Sequence, residues 1–459
     1  MAGNAARQST NDPTATGNEV AVRLDGPVPR TLGVLDQGAF WANLGVSLLG
    51  FAGVLAVLQP SGATQLTVAA AVLATIVGTV IGSAMVGLSA IPGAMTGAPA
   101  MVLLRGLFGG RLSAVPTFLN VVQLIGWGTF ELVVIAQAAQ TAFPDTVRWV
   151  WVVGAGVLTV LLTLRPLGTM RLLRRVVTIA VAISLAYLAW HLLRHPLPSL
   201  GEGSWESFWK GADAAIAVAI SWIPVASDYS RHSRTPFAAF TSATIGYSIA
   251  QIVTFLLGLV ALALVAGNGD AVFSPMLAVP FGLVAFLVLT VREVDQSFAN
   301  VYSTAVSVQN LLPRADRRVL TVCIGALIML LALALDINSY ADFLLVIGSV
   351  FVPLLGVGVG DALARRQLVR DLSPTAPSRP LMLLAWLIGL VVYQLVNPGG
   401  LAGWSDAWIW AQHAVHLSPP SWLSASLLSF VCAGIAAFAL VPLEGRARRA
   451  RSARAGTSS

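Results

Sequence analysis

Charge and cysteine are both scarce in this 459-residue chain. Charged residues make up 10% of the sequence, hydrophobic residues make up 56%, and the mean hydropathy is +0.80. Soluble domains carry about 25% charged residues, so this composition excludes a soluble enzyme, whose surface so few charges could not cover. Cys323 and Cys432 each lie in an apolar run, which excludes a disulfide framework and a CxxC metal motif. We interpret both as small apolar packing residues.

Catalytic and nucleotide-binding signatures are also missing. The sequence has no HExxH motif, no GxSxG nucleophile elbow and no GxxxxGK[ST] phosphate-binding loop. These absences argue against a membrane-embedded enzyme and an ATP-driven pump, and no cofactor is expected. His413 and His416 are three residues apart but lack a clear third ligand, so no metal is predicted there.

What the chain does contain is a series of twelve apolar segments, each of the order of the 20 residues that cross a bilayer. Between them lie short polar loops and no inserted soluble domain. The pattern predicts an all-α integral membrane protein with twelve transmembrane helices. The segments cover residues 39–58, 66–91, 116–140, 149–164, 174–193, 211–226, 240–266, 280–308, 319–335, 343–361, 381–396 and 422–443.

The positive charges predict the orientation of these segments. If the N-terminus is cytoplasmic, 23 of the 27 Lys and Arg residues fall on the inner side and only Arg148, Arg194 and Lys210 fall outside. Cytoplasmic loops are enriched in Lys and Arg, so twelve spans with both ends inside are predicted. The orientation of the spans in a cell membrane therefore explains the net charge of +7, and no nucleic-acid partner is expected. The longest outside loop, 397–420, carries three Trp residues interpreted as interfacial anchors.

Two segments carry residues that interrupt a helix near mid-membrane. Gly45 and Gly50 flank a short stretch of segment 1, and Pro224 lies inside segment 6. Interrupted helices at equivalent places in two halves mark the binding site of many transporters. The alternative is that the glycines only permit close helix packing. The predicted organisation is repeat one 39–193, repeat two 211–361 and extra helices 381–443, within a membrane domain 36–443 flanked by a disordered cytoplasmic tail 1–35 and a basic cytoplasmic tail 444–459.

Segments 3 and 8 hold charged residues within the membrane. A charge at the bilayer centre costs at least about 2.5–3.5 kcal/mol, so it is rare without a function or a partner. Glu131 lies one helical turn after Trp127, on the same face. Arg292 and Asp295 are three residues apart, and a structural ion pair is the alternative to a functional role for them. For Glu131 the alternative is a protonated, hydrogen-bonded core residue.

These residues together suit a planar heteroaromatic substrate. Trp127 and Trp222 offer stacking faces, although each would serve equally as a packing residue. Glu131 and Asn300 offer hydrogen-bonding groups to ring N–H and C=O groups. Gln296 lies four residues before Asn300 and shares its helix face. The leading interpretation is a secondary transporter; a channel and a transporter for another solute, such as an amino acid, are the alternatives.

Four stretches of the sequence resemble the nucleobase–cation symporters, the family of purine and cytosine permeases. They are Gly93 to Gly109, Gly126-Trp127, Ser221 to Arg231 with its Asp-Tyr-Ser-Arg end, and Asn300 to Asn310. Their order matches that of the family across segments 1–10. The spacing of Trp41 and Ser47 is similar to the hydroxymethylpyrimidine-transporter branch, which the sequence does not separate from cytosine permeases.

The resemblance implies a leucine-transporter-like fold with a 5+5 inverted repeat and two further helices. It implies import of a nucleobase, hydantoin, nucleoside or vitamin precursor with Na⁺ or H⁺, by a monomer surrounded by membrane lipid. Trp127 and Trp222 would sandwich the substrate ring. The Gly93–Gly109 stretch would lie on the cytoplasmic side, where Arg105 and Asp228 are candidates for an ion pair. The full predicted substrate set is Ser47, Leu48, Gly50, Trp127, Glu131, Trp222, Gln296 and Asn300.

The coupling ion is the point at which the sequence departs from the family. Related members place Ser or Thr hydroxyls on segment 8 about one turn before the position of Asn300, where this chain has a carboxylate, Asp295. A Na⁺ site would use oxygens at Gly45, Leu48 and Asp295. Glu131 places a second carboxyl in the predicted site, and a carboxyl in a low-dielectric cavity is suited to load and release a proton. The sequence therefore favours H⁺ over Na⁺, with Glu131 as the titrating group.

Overall fold

The computed structural model describes residues 30–164, 178–196, 202–312, 314–337, 340–367 and 371–456. Regular structure within these ranges is helical, apart from two isolated β-bridges, Leu32 with Ser233 and Leu66 with Ser204. The predicted all-α class is confirmed. Most of the predicted N-terminal tail, residues 1–29, lies outside the described residues, and the first helix begins at Val34.

The helices of the first half follow the first five predicted segments. Segment 1 is split in two, and a short helix follows segment 2. They are α1 (Val34–Gly45), α2 (Leu48–Leu58), α3 (Val68–Thr96), α4 (Ala100–Phe108), α5 (Ala114–Ala142), α6 (Arg148–Leu164) and α7 (Thr178–Leu192).

The second half follows the remaining segments and breaks segment 6 around Pro224, where a 3₁₀ turn spans Ile223–Val225. The helices are α8 (Phe208–Ile220), α9 (Ala226–Ser230), α10 (Pro236–Leu264), α11 (Ser274–Ala278), α12 (Gly282–Leu311), α13 (Arg317–Ala334), α14 (Tyr340–Arg365), α15 (Pro380–Val396), α16 (Trp404–Ala414) and α17 (Ala425–Gly456).

Seven helical regions among the described residues are long and apolar enough to cross a membrane, and the bent pair α1–α2 is an eighth if it counts as one span. The helices α6, α7 and α15 are apolar but shorter, and α12 carries the charges of Arg292, Glu293 and Asp295. The chain is thus a multi-pass membrane protein, while the number twelve stays a prediction.

Two features differ from the sequence prediction. The 397–420 loop contains the helix α16, whose Gly403 N–H donates to the Asp406 carboxylate at 2.9 Å. Cys323, expected to be a packing residue, is exposed, and Cys432 is half-buried. Both lie on outer helices, where apolar character suits lipid as well as protein.

Small residues allow the central helices to approach closely. A Cβ at Gly78 of α3 would lie 2.3 Å from the Ala212 carbonyl oxygen of α8, which only glycine avoids. The Gln251 side chain of α10 then joins the same helices, donating at 3.0 Å to both Thr79 and the Ala215 carbonyl. Buried amide side chains that find partners in this way hold helices together where water is absent.

The C-terminal helix is anchored to α8 by a buried carboxylate. Asp213 accepts hydrogen bonds from the Ser424 hydroxyl at 2.6 Å and from the Ala425 N–H at 2.8 Å. These donors lie at the N-terminus of α17, where the free backbone N–H groups and the helix dipole favour a negative group. Asp213 is therefore an intramembrane carboxylate with a structural role, which the sequence analysis did not single out.

Candidate substrate and coupling site

The helix predicted to be interrupted in segment 1 is broken at Val46 and Ser47. Both residues have extended backbone, and the axes of α1 and α2 differ by 66°. The Ser47 hydroxyl accepts from the Leu49 N–H at 3.0 Å and so caps α2. A Cβ at Gly45 or Gly50 would come within 2.8 Å of α10 side-chain atoms, so these glycines also serve close packing. Both interpretations of the glycines therefore hold.

The carbonyl groups released by the break face α12. Arg292 donates to the Asn43 carbonyl oxygen, and the Gln296 amide donates to the Leu44 carbonyl at 2.7 Å and to the Val46 carbonyl at 3.4 Å. Unwound backbone at membrane depth requires partners of this kind. The break is thus stabilised by two side chains one helical turn apart.

The N–H side of the break is occupied by Glu293, which is fully buried. Its carboxyl group accepts from the Ser47 hydroxyl and, at 3.0 Å, from the Leu48 N–H at the start of α2. The sequence analysis missed this residue, although its spacing from Gln296 and Asn300, three and seven residues, places all three on one helix face. That spacing is the signal that identifies it.

Next to the break lies a cavity between α1, α2, α5, α8, α10, α12 and α14, with a volume of about 30 Å³. A cavity of 10–15 Å³ holds one water, so a heterocyclic ring fits only after helices or side chains move apart. Of the predicted substrate residues, only Leu48 is not part of its lining. The others line it: Ser47, Gly50, Trp127, Glu131, Trp222, Gln296 and Asn300.

The residues predicted for cation coupling are placed differently. Gly45 and Glu131 line the cavity, whereas Leu48 contributes its N–H to Glu293. Asp295 is not part of the lining and accepts from the Asn43 side-chain amide at 3.1 Å. Because Arg292 donates to the backbone carbonyl of the same Asn43, Arg292 and Asp295 both contact the end of α1.

Aromatic residues surround both predicted stacking residues. The Trp127 ring lies edge-to-face with Tyr340, with centroids 5.8 Å apart. Trp222 lies edge-to-face with Trp41 at 6.5 Å, and its indole N–H donates to the Tyr247 hydroxyl at 3.1 Å. Tyr247 and Tyr340 line the cavity and were missed, because neither lies in a segment that the sequence analysis singled out.

Two carboxyl groups from different helices meet beside the cavity. Glu131 of α5 lies within electrostatic range of Glu293 and of the Arg292 guanidinium of α12. The second oxygen of Glu131, Oε2, is buried and has no hydrogen-bond partner among the described residues. The site thus has a carboxyl group at its wall with one free oxygen.

The predicted pairing of Arg105 with Asp228 is wrong, because the structure gives each residue another partner. Asp228 accepts from the Ala100 N–H at 2.8 Å, at the N-terminus of α4. Arg105 donates to the Asn310 side-chain oxygen at the end of α12. The stretches that carry the family resemblance therefore contact one another, through α4.

No group of three or more His, Cys, Asp and Glu side chains that could hold a metal ion occurs among the residues that the structure describes. His413 lies in α16 and His416 lies just beyond it. Among the described residues, these two histidines have no third His, Cys, Asp or Glu side chain close enough to complete a metal site.

The fold resembles those of known transporters. Over 91% of this chain and 94% of the other, it matches Mhp1, a nucleobase-cation-symport-1 family transporter, in a closed conformation with bromovinylhydantoin bound, with a TM-score of 0.70 at 18% identity. The inward-facing conformation of Mhp1 matches over 93% and 96% of the two chains with a TM-score of 0.71 at 16% identity.

A third similar structure is a Na⁺-coupled sialic acid symporter in a substrate-bound outward-open state. It matches over 90% of each chain with a TM-score of 0.60 at 11% identity. No curated protein sequence matches the chain.

Sequence-family similarity agrees with the fold. The family model described as permease for cytosine/purines, uracil, thiamine, allantoin matches residues 39–374, which is most of the chain and includes the helix break, α5 and α12. The protein is accordingly a transporter and not an enzyme, and it belongs to the family of cytosine and purine permeases.

Proposed function

We propose that this protein imports a nucleobase or a related planar N-heterocycle, such as cytosine, a purine or a hydroxymethylpyrimidine, by cation symport with alternating access. The observation that carries this proposal is the cavity at the helix break, lined by Trp127 and Trp222 together with Glu131, Gln296 and Asn300. Aromatic faces stack on heterocyclic rings, and the amide and carboxyl groups match ring N–H and C=O groups.

The test of substrate class is a binding screen on the purified protein. The compounds are cytosine, uracil, adenine, hypoxanthine, allantoin, hydantoin and hydroxymethylpyrimidine, with amino acids as the comparison set. Saturable binding of at least one heterocycle supports the proposal. Binding of amino acids alone, or uptake that rises with concentration without saturating, would replace it with an amino-acid transporter or a channel.

The proposed architecture is a 5+5 inverted repeat, 39–193 and 211–361, with helices 381–443 added and both termini in the cytoplasm. Two helix breaks support it, one at Ser47 between α1 and α2 and one around Pro224 between α8 and α9, because each lies in the first segment of its proposed repeat. The charge bias of the loops supports the orientation.

Cysteine labelling checks this orientation. In a background with Cys323→Ser and Cys432→Ser, Arg111→Cys should stay unlabelled by an impermeant thiol reagent outside intact cells, whereas Asp145→Cys should be labelled. Both positions are exposed, in the loops that precede and follow α5. The reverse pattern would contradict the orientation of the whole bundle.

For the coupling ion we propose H⁺. Glu131 is a buried carboxyl on the wall of the cavity, placed to take up and release a proton as access alternates. Uptake should follow an imposed pH gradient without Na⁺, and Glu131→Gln should abolish accumulation while substrate still equilibrates across the membrane. Uptake driven by a Na⁺ gradient and indifferent to pH would reverse the assignment.

A further inference from the structure

Resting on the proposed function, we infer that the substrate presents N–H groups to the side-chain oxygens of Gln251 and Gln296 and a hydrogen-bond acceptor to the hydroxyl of Tyr340. Gln251 and Tyr340 stand outside the predicted substrate set. The walls of the cavity then have distinct hydrogen-bonding roles, which the proposed function leaves open, and Tyr340 becomes a specificity-determining residue.

Five residues of the cavity lining each keep a buried polar atom without a hydrogen-bond partner among the described residues. The atoms are Nε1 of Trp127, Oε2 of Glu131, Oε1 of Gln251, Oε1 of Gln296 and the hydroxyl oxygen of Tyr340. All five residues are more than nine-tenths buried. A buried polar atom without a partner is costly and uncommon. Because these five residues border one cavity, a polar ligand that enters it is the partner that they have in common.

The two glutamines have a fixed orientation, so they can only accept hydrogen bonds from a ligand. The Gln296 amide nitrogen donates to two backbone carbonyls at the helix break, and that of Gln251 donates to the Ala215 carbonyl and to the Thr79 hydroxyl. A carbonyl oxygen has no hydrogen to donate, so neither amide group can be flipped without losing these bonds. The side-chain oxygens that remain are acceptors and require donors such as N–H groups.

Tyr340 supplies the donor on another wall. Its ring centroid lies 5.8 Å from that of Trp127 and 5.5 Å from that of Phe130. Its hydroxyl oxygen lies beside α2, 3.7 Å from the position that a Cβ at Gly53 would take. Trp127 carries the other unpaired donor, but an indole N–H lies in the plane of its ring and does not point at a heterocycle stacked on the ring face. The Tyr340 hydroxyl is therefore the donor for an acceptor on the heterocycle.

Gln296 and Tyr340 reach the cavity at different heights. The Gln296 amide lies at the break before α2, whereas the Tyr340 hydroxyl lies near Gly53, about 9 Å further along α2 at 1.5 Å per residue. One ring between them contacts the two residues with different edges. A matching substrate has an N–H group on one edge and a carbonyl oxygen or a bare ring nitrogen on another. A ring whose nitrogens are all alkylated does not match.

Tyr340→Phe tests the assigned donor. Phenylalanine keeps the ring that contacts α5 and removes only the hydroxyl. Each of the seven heterocycles of the binding screen that binds the wild-type protein should bind this variant about 3- to 10-fold more weakly, the effect of one net hydrogen bond. Tyr393→Phe is the matched control, because Tyr393 is also buried but is not part of the cavity lining. Its Kd should equal that of the wild type.

Thermal unfolding without ligand separates recognition from a structural role. Because the Tyr340 hydroxyl has no partner among the described residues, its removal should leave the Tm of the protein unchanged or raise it. A lower Tm for Tyr340→Phe would mean that the hydroxyl supports the fold, and it would overturn the role in recognition.

N-methylated compounds test the fixed acceptors without any change to the protein. For each heterocycle that binds, the derivative with methyl groups in place of all N–H hydrogens, such as 1,3-dimethyluracil for uracil, should bind about 5- to 150-fold more weakly, because the glutamine oxygens stay unpaired. Equal affinity for such a derivative, or for Tyr340→Phe, contradicts the assigned roles while the substrate class stands. If none of the seven heterocycles binds, the proposed function itself fails.

Discussion

Arg379→Ala should destabilise the protein by about 3–5 kcal/mol, the cost of removing one partner from a buried ion pair. Arg379 donates to Asp361, to Glu444 at 2.8 Å and to the Gly106 carbonyl at 3.1 Å, and all three charged side chains are buried. Alanine leaves two carboxylates of α14 and α17 without their main positive partner. Equilibrium unfolding in detergent, or Tm at fixed detergent concentration, measures the loss.

Arg365→Ala is the matched control for that experiment. Arg365 binds the same Asp361 and Glu444, at 3.0 and 3.3 Å, but its side chain is 32% exposed. Exposed pairs contribute about 0–1 kcal/mol, so its loss should be several-fold smaller. Equal losses of stability in the two variants would contradict this prediction, because burial of Arg379 would then add nothing to the strength of its ion pairs.

Trp127→Ala and Trp222→Ala should each weaken substrate binding by about 1–3 kcal/mol, the range measured for stacking of a base on an aromatic side chain. That corresponds to roughly 5- to 150-fold in Kd. Both rings line the one cavity at the helix break and come from α5 and from the segment after α8. Phenylalanine at either position keeps an aromatic face and should retain much of the affinity.

The measurement is a titration with whichever heterocycle the binding screen identifies. Trp410→Ala serves as the control, because Trp410 is 73% exposed on α16 and is not part of the cavity lining. Its Kd should match that of the wild-type protein. If both cavity variants bind as tightly as the wild type, the substrate is not stacked between these two rings.

The sequence predicted those parts of the structure that depend on local chemistry. The break of segment 1 follows from glycines beside a serine that caps the next helix, and that of segment 6 follows from Pro224. The apolar segments coincide with helices because twenty apolar residues in a row have few other stable arrangements in a membrane. These features require no knowledge of which helices are neighbours.

The sequence did not predict hydrogen bonds between residues that are far apart along the chain. Ser47 and Glu293 are 246 residues apart, and their hydrogen bond depends on α2 and α12 being adjacent. For the same reason Arg105 and Asp228 were candidates for an ion pair, whereas Arg105 donates to Asn310. Opposite charge alone does not choose between partners when three helices converge.

The nine-residue helix α4 has a mechanical role that follows from its three attachments. Asp228 holds its first residue, Asn310 holds Arg105, and Arg379 holds the Gly106 carbonyl. If one of these neighbours shifts as a rigid body, its hydrogen bond moves α4 and strains the hydrogen bonds of α4 to the other two. Helix α4 therefore links the end of α9, the end of α12 and the C-terminal helices. The chain turns at each end of α4 at Gly97 and Gly109, whose φ angles of +74° and +91° only glycine adopts without strain.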